Sequence, residues 1–362
     1  MTVLAAVAGF VLIGLAVADL LNTLVTTSVS GARWWPSQII GLSLFWLVRR
    51  LALRMPEASA ARERVLASFG PLLVLVWLAM WSTIQIFGFG LIWWAVGDLS
   101  GGADLSTALY YSGVVYFTVG FGEVLPASEL PRTGAIMEAF SGVVTVALVI
   151  GYLPTLYGEY SAREQKLMTL DDGSDDRITP THLVMAWAPD ADPARINARM
   201  GEWEEWVTGI LETHSTVPLL QLFRSHDRRQ NWVTALGLLC DTAIHAQIIV
   251  GSSGRSESYW FLRRAITLFE ELTAGVDLTP YRDVGADRGN RPDGTDLFDD
   301  LYRQLTDHGF DLLPMDEARA RSARIRARWA PQMEYLIDYL VAPRGFWSTE
   351  VGLDLPEPSR SP

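Results

Sequence analysis

The sequence predicts an all-α protein: helices apolar enough to cross a membrane, a short re-entrant helix between two of them, and then a helical water-soluble domain. Three observations carry this. Nine of the 41 acidic and seven of the 29 basic residues precede Ser161, leaving 32 and 22 after it, so a sparsely charged part is followed by one carrying −10 of the −12 net charge. Three apolar runs in the first part each exceed the roughly 20 helical residues that a bilayer core demands. In the second part apolar residues recur at helical spacing and strand alternation is weak. The composition argues against a wholly soluble globule, a disordered chain and a nucleic-acid partner, which would ask for a basic excess. One cysteine, Cys240, excludes an internal disulfide framework and a cysteine-cluster metal site.

The first run, Thr2 to Thr26, is broken only by Asp19. Asn22 and Thr23 share its helix face, and about 27 Å from the helix start it falls near an interface, where a structural polar contact is expected. The basic leader and small-residue cleavage site of a secretory signal are missing. The stretch Trp34 to Val48 is 15 residues long and opens Trp-Trp-Pro, which fits either a short span or an interfacial helix. Arg49, Arg50, Arg54, Arg62 and Arg64 crowd the connection before Phe69. The positive-inside rule puts that connection in the cytoplasm. Phe69 to Val96 is uncharged, about 42 Å long as a helix, and runs outward. Thr133 to Gly158, uncharged except for Glu138, returns inward, and Arg163 and Lys166 after it agree. The pairs Trp34/Trp35 and Trp93/Trp94 suit headgroup-level anchors. Arginines at three-residue spacing within a span are missing, so no voltage sensor is expected.

Between the second and third runs, Leu105 to Phe117 is too apolar for a solvated loop, and Asp104 and Ser106 offer N-cap chemistry before it. Thirteen residues reach roughly 20 Å, too short to cross, so this helix dips in and returns. Non-helical backbone at membrane depth survives only where it is buried in protein or lines a watery cavity. The segment that follows reads Thr118-Val119-Gly120-Phe121-Gly122-Glu123, and its alternating glycines permit left-handed backbone, so that successive carbonyls can face one side. Phe87-Gly88-Phe89-Gly90 looks similar but sits inside an unbroken apolar run, where its glycines suit close helix packing.

Thr118 to Gly122 resembles the signature filter of the potassium channel superfamily in its Phe-containing form, with Ala108-Leu-Tyr-Tyr-Ser112 before it and an acid followed by Pro126 after it. The resemblance covers about residues 69–160 and is of prokaryotic, two-helix type. It implies that carbonyls of Thr118, Val119, Gly120 and Phe121, with the Thr118 hydroxyl at the inner end, form stacked sites for dehydrated K+. The short helix aims its negative C-terminal end at the cavity. Glu123, where the family usually has Asp, either concentrates cations at the outer mouth or hydrogen-bonds behind the filter. One filter per chain implies a homotetramer. Gly142, twenty positions after Gly122, is either a gating hinge or a packing glycine. Pro154 to Tyr157 is expected at the inner constriction, since Pro154 removes a backbone hydrogen bond. The expected activity is passive, potassium-selective conduction, with a weakly selective cation channel as one rival and a membrane-tethered receptor or enzyme with a non-conducting pore motif as the other.

The domain reading is then a membrane segment over 1–66, a pore domain over 67–160, an acidic linker over 161–180, a helical cytoplasmic domain over 181–345 and a disordered tail over 346–362. Helices are expected near Trp232–Ile249, Tyr259–Leu272, Asp296–Thr306 and Asp316–Leu340, and Trp203, Trp206, Val207, Ile210 and Leu211 form an apolar stripe. Asn231 to Val250 holds only Asp241 and His245, four residues apart, and fits a buried bundle helix with a satisfied polar pair better than a span. His182, His214, His226, His245 and His308 have no metal-binding spacing, and catalytic or nucleotide-binding motifs are missing. The run Asp171–Asp176 is expected to be solvated rather than to bind calcium. Arg319, Arg321, Arg324, Arg326 and Arg328 are expected to solvate a helix face or touch anionic lipid. No cofactor is expected beyond permeant K+; the partners are membrane lipid, three further copies of the chain and an unidentified cytoplasmic ligand. The location is the cell membrane, multi-pass, with the C-terminal domain in the cytoplasm.

Overall fold

Twelve α-helices run through the described residues of the computed structural model, which are 2–25, 35–56, 59–100, 102, 104–170, 178–225, 231–281 and 296–343. In chain order they are α1 (Thr2–Leu24), α2 (Pro36–Ala52), α3 (Ala60–Val96), α4 (Leu105–Tyr116), α5 (Glu129–Met168), α6 (Pro180–Trp187), α7 (Pro193–Thr216), α8 (Trp232–Ile248), α9 (Glu257–Leu272), α10 (Leu297–His308), α11 (Met315–Arg326) and α12 (Ala330–Leu340). Two isolated bridges are the only β pairing among the described residues, so the fold is all-α. Three helices, α1, α3 and α5, are long and apolar enough to cross a membrane. The acidic run Asp171–Asp176, Trp34, His226 and the tail beyond 343 lie outside the described residues.

The chain divides into two units, one of residues 1–159 with 215–223 and one of residues 160–214 with 224–362. The predicted acidic linker over 161–180 is corrected in part: residues 161–168 continue α5, and Leu167, Leu170 and Ile178 are buried in the core of the second unit. Their apolar side chains outweigh the polar composition around them.

In the first unit α1 packs along α3. A Cβ on Gly9 would lie 2.4 Å from the Gly88 carbonyl oxygen, and one on Gly88 would lie 2.9 Å from that of Gly9. Small residues at the crossing let the two backbones touch, which is the packing expected of the Phe87–Gly90 stretch. Asp19 is fully buried and joins three helices. It accepts the Ser37 N–H at 3.0 Å, the Ser37 hydroxyl at 2.6 Å and the Trp81 indole N–H at 2.8 Å. The first turn of α2 has no capping side chain of its own, so Asp19 supplies one from another helix. The structural contact expected of Asp19 is found. The arginines differ from expectation: Arg49 and Arg50 fall in the last turn of α2, and Arg62 and Arg64 lie in α3, which begins nine residues before the uncharged run. Ser59 caps it by accepting the Ala61 N–H.

In the second unit α8 is buried along its whole length, as an apolar helix with no polar face must be. Asp241, one of the two polar groups expected on this helix, meets Arg326. Arg326 donates through Nη1 to both Asp241 carboxylate oxygens, at 2.9 and 2.8 Å, with both side chains buried. Removing one partner of such a pair leaves a desolvated charge and costs about 3–5 kcal/mol. The solvated arginine face is corrected: Arg326 is inside, and Arg319 pairs with Asp296 and Asp299. Hydrogen bonding to Asp296 raises the Arg319 pKa and lowers that of Asp296. The single helix predicted over Asp316–Leu340 is two, because Pro331 opens α12 and breaks the pattern before it.

His214 sits inside this unit, its ring 4.9 Å from that of Trp232. Its Nδ1 meets the Ile210 carbonyl at 2.9 Å, while Nε2 is buried without a hydrogen bond. Burial first, and then the charge of Arg163, push its pKa down from 6.5 to about 3. The unfolded chain therefore takes a proton below pH 6.5 that the folded one refuses, and stability falls as pH drops through that window. In thermal unfolding followed by near-ultraviolet circular dichroism, the native chain should lose up to roughly 1.4 kcal/mol per pH unit relative to His214→Phe between pH 6 and 4. Parallel profiles for the two proteins would contradict this.

Candidate functional site

The site is built on α4 and the segment after it. Asp104 caps α4 by accepting the Thr107 N–H at 3.1 Å and the Thr107 hydroxyl at 2.6 Å. At the other end the Thr118 N–H bonds to Val115 O and the Val119 N–H to Val114 O, both at 2.9 Å, with Thr118 at φ +56°. This is a Schellman stop, whose left-handed position ordinarily holds glycine. A β-branched residue there is strained by about 1–3 kcal/mol, and surrounding structure must hold it. The Thr118 hydroxyl donates to the Phe117 carbonyl at 2.8 Å.

The left-handed state then recurs at every second residue. Gly120 has φ +63° and Gly122 φ +84°, while Val119 and Phe121 between them stay out of that region. Glycine adopts it without a side-chain penalty, which explains why glycine stands at both positions. Phe117 to Glu123 are all exposed on the single chain, Phe121 by 71%.

Both ends of this segment are fastened. Glu123 accepts a hydrogen bond from the Tyr110 hydroxyl of α4. Farther on, the Ser100 N–H bonds to Leu125 O at 2.9 Å, the Leu125 N–H to Ser100 Oγ at 2.8 Å and the Ala127 N–H to Asp98 O at 3.1 Å. The Ser128 hydroxyl adds a bond to Asp98.

Two buried polar clusters hold α4 between α3 and α5. In one, Glu138 of α5 accepts the Ser112 hydroxyl and, at 2.7 Å, the Trp93 indole N–H. In the other, Gln85 of α3 donates to Tyr116 Oη at 3.2 Å and Thr145 Oγ1 at 3.0 Å and accepts the Ser141 hydroxyl. Trp93 is thus corrected from a headgroup anchor to a buried tie, only 3% exposed. Glu138, Gln85, Ser112, Tyr110 and Tyr116 are absent from the sequence-derived candidates. Glu138 and Gln85 had a signal: each is the most polar residue of an otherwise apolar run, where polar groups seldom stand without a task.

Gly142 lies against α4. A Cβ there would fall 2.1 Å from the Tyr116 carbonyl oxygen, so glycine is required by contact. Pro154 lies inside α5 without ending it. Pro154 and Tyr157 are exposed on the single chain, and the Tyr157 ring is 6.0 Å from that of Phe223 in the same unit.

Residues 73–158 match a family model described as an ion channel. A protein of Bacillus subtilis (strain 168) called uncharacterized membrane protein YdjJ is 22% identical over 189 residues, which are 51% of this chain and 54% of that protein. The chain thus spans about half the length of this relative. No solved structure matches. Three apolar helices and a relative called a membrane protein make this a membrane protein, and the described site lies inside the segment that matches the ion-channel model.

The Gly142 contact separates packing from free hinge motion. Gly142→Ala should lower the thermal unfolding temperature of the purified chain by an amount matching at least the 1–3 kcal/mol typical of overpacking, about the cost of forcing α4 away from α5. Gly151→Ala, on the same helix with open space around it, should change stability by less than about 0.5 kcal/mol. Equal tolerance of both would overturn the packing role.

Proposed function

We propose that four copies of this chain form a passive, potassium-selective channel. The observation that supports it most is the alternation of backbone handedness at Thr118, Gly120 and Gly122, directly after the C-terminal end of α4. Alternate left-handed residues turn successive peptide planes so that carbonyls can face one axis. Four such rows supply enough oxygens to replace the hydration shell of a K+ ion. The Thr118 hydroxyl closes the inner end of the row, and the carbonyl end of the α4 dipole favours a cation beneath it. The exposure of residues 117–123 on one chain supports a multi-chain assembly, because backbone at membrane depth needs protein or a watery pore around it. The exposed apolar residues Ile136, Phe140, Val143 and Ile150 of α5 fit an interface between copies or with lipid.

In this reading Glu123 serves the filter by bracing its outer end on Tyr110, and Gly142 lets α5 press against α4. Pro154 and Tyr157 line the inner constriction. The helical domain expected over 181–345 is cytoplasmic, serves regulation or assembly, and is open to a cytoplasmic ligand.

Planar-bilayer recording of the purified protein tests the proposal, with K+ and Na+ on opposite sides. The native chain should reverse near the potassium equilibrium potential, and Gly120→Ala, which penalises the left-handed backbone by about 1–2 kcal/mol in each of four chains, should abolish the current or its selectivity. A reversal near zero would support the weakly selective cation channel instead. Indistinguishable currents from native chain and variant, or no current from either, would leave the motif without a conducting role.

A further inference from the structure

A basic recess lies at the end of α2, far along the chain from the filter. Trp46, Arg49, Arg50, Leu53 and Arg54 line about 440 Å³ of open volume. Trp46, Arg49 and Arg50 share one face of α2 by their i, i+3, i+4 spacing, and Leu53 and Arg54 follow in the turn that ends it. The Arg49 guanidinium stands 5.3 Å from the Trp46 ring centroid. Three arginines are among the described residues that line the recess.

The same face continues toward the start of α2 as Ile39, Leu42 and Trp46, each about half exposed. An apolar track of more than a helical turn therefore leads into three guanidinium groups. A soluble anion has no use for the track. A molecule with a negative head and a hydrocarbon tail uses both parts. Guanidinium groups match phosphate oxygens in geometry, and an aromatic ring at the join suits the headgroup level.

We propose that the end of α2 binds an anionic phospholipid, with the phosphate among Arg49, Arg50 and Arg54 and an acyl chain along Ile39, Leu42 and Trp46. The inference rests on the membrane setting of the first unit and not on conduction. Its readout is retained lipid rather than current, so the two readings fail separately.

The full chain, purified in detergent, is offered phosphatidylglycerol and phosphatidylcholine with identical acyl chains, and the lipid retained per chain is counted by native mass spectrometry. The native chain should retain phosphatidylglycerol in preference. Basic residues near an anionic surface each contribute about fivefold in affinity, so Arg49→Gln with Arg50→Gln and Arg54→Gln should weaken retention by on the order of a hundredfold. Should that chain fold poorly, Arg50→Gln with Arg54→Gln alone should weaken it about thirtyfold. Arg62→Gln with Arg64→Gln, which removes charge outside the recess, should leave it within about twofold of native. Three results would overturn the proposal: retention unchanged by the recess variants, equal loss in the Arg62/Arg64 control, or full displacement by inorganic phosphate or glycerol 1-phosphate.

Discussion

Helix α4 is too short to be held by apolar area alone, and the segment after it has no regular hydrogen bonding of its own. What fixes both is a set of side-chain bonds made out of water. Glu138 draws Trp93 and Ser112 together, and Gln85 draws in Tyr116, Thr145 and Ser141. In a low-dielectric setting each such bond gains strength, and each unmade one leaves a costly orphan. The clusters thus have one satisfied arrangement, and that arrangement sets where α4 ends. Thr118 can occupy a strained left-handed position because α4 on one side and the Tyr110–Glu123 bond on the other leave it little choice.

The same device recurs where apolar helices meet elsewhere. Asp19 caps α2 from α1 while accepting the Trp81 indole of α3, and the Trp77 indole N–H reaches Ser37 O at 2.9 Å. In the second unit Asp241 and Arg326 do this between α8 and α11. Apolar contact alone tolerates sliding and rotation, whereas a buried pair with fixed geometry selects one register. Close glycine contacts complete the arrangement: Gly9 with Gly88, and Gly142 with the Tyr116 carbonyl.

Local chemistry was readable from the chain and distant partnership was not. The start of α4 at Leu105 follows from Asp104, one residue away, and the left-handed backbone at 120 and 122 from the glycines there. The buried character of α8 follows from its uninterrupted apolar composition. By contrast, Trp93 and Glu138 are 45 positions apart, and Asp241 and Arg326 are 85 apart. Periodicity assigns a face to each of these residues but says nothing of what faces it. For that reason Arg326 reads as one more solvated arginine, and Trp93 as one more interfacial aromatic. The site's backbone was legible for the same reason in reverse, since glycine at alternate positions permits the left-handed φ that other residues avoid.

In the proposed channel, main-chain oxygens of residues 118–121 from four chains surround a common ion path. Anomalous scattering from crystals of the full chain grown with Tl+ in place of K+ tests it most directly. A row of peaks should lie on a fourfold axis, each flanked by those oxygens. Peaks elsewhere, an assembly without that axis, or oxygens turned into the protein would contradict it.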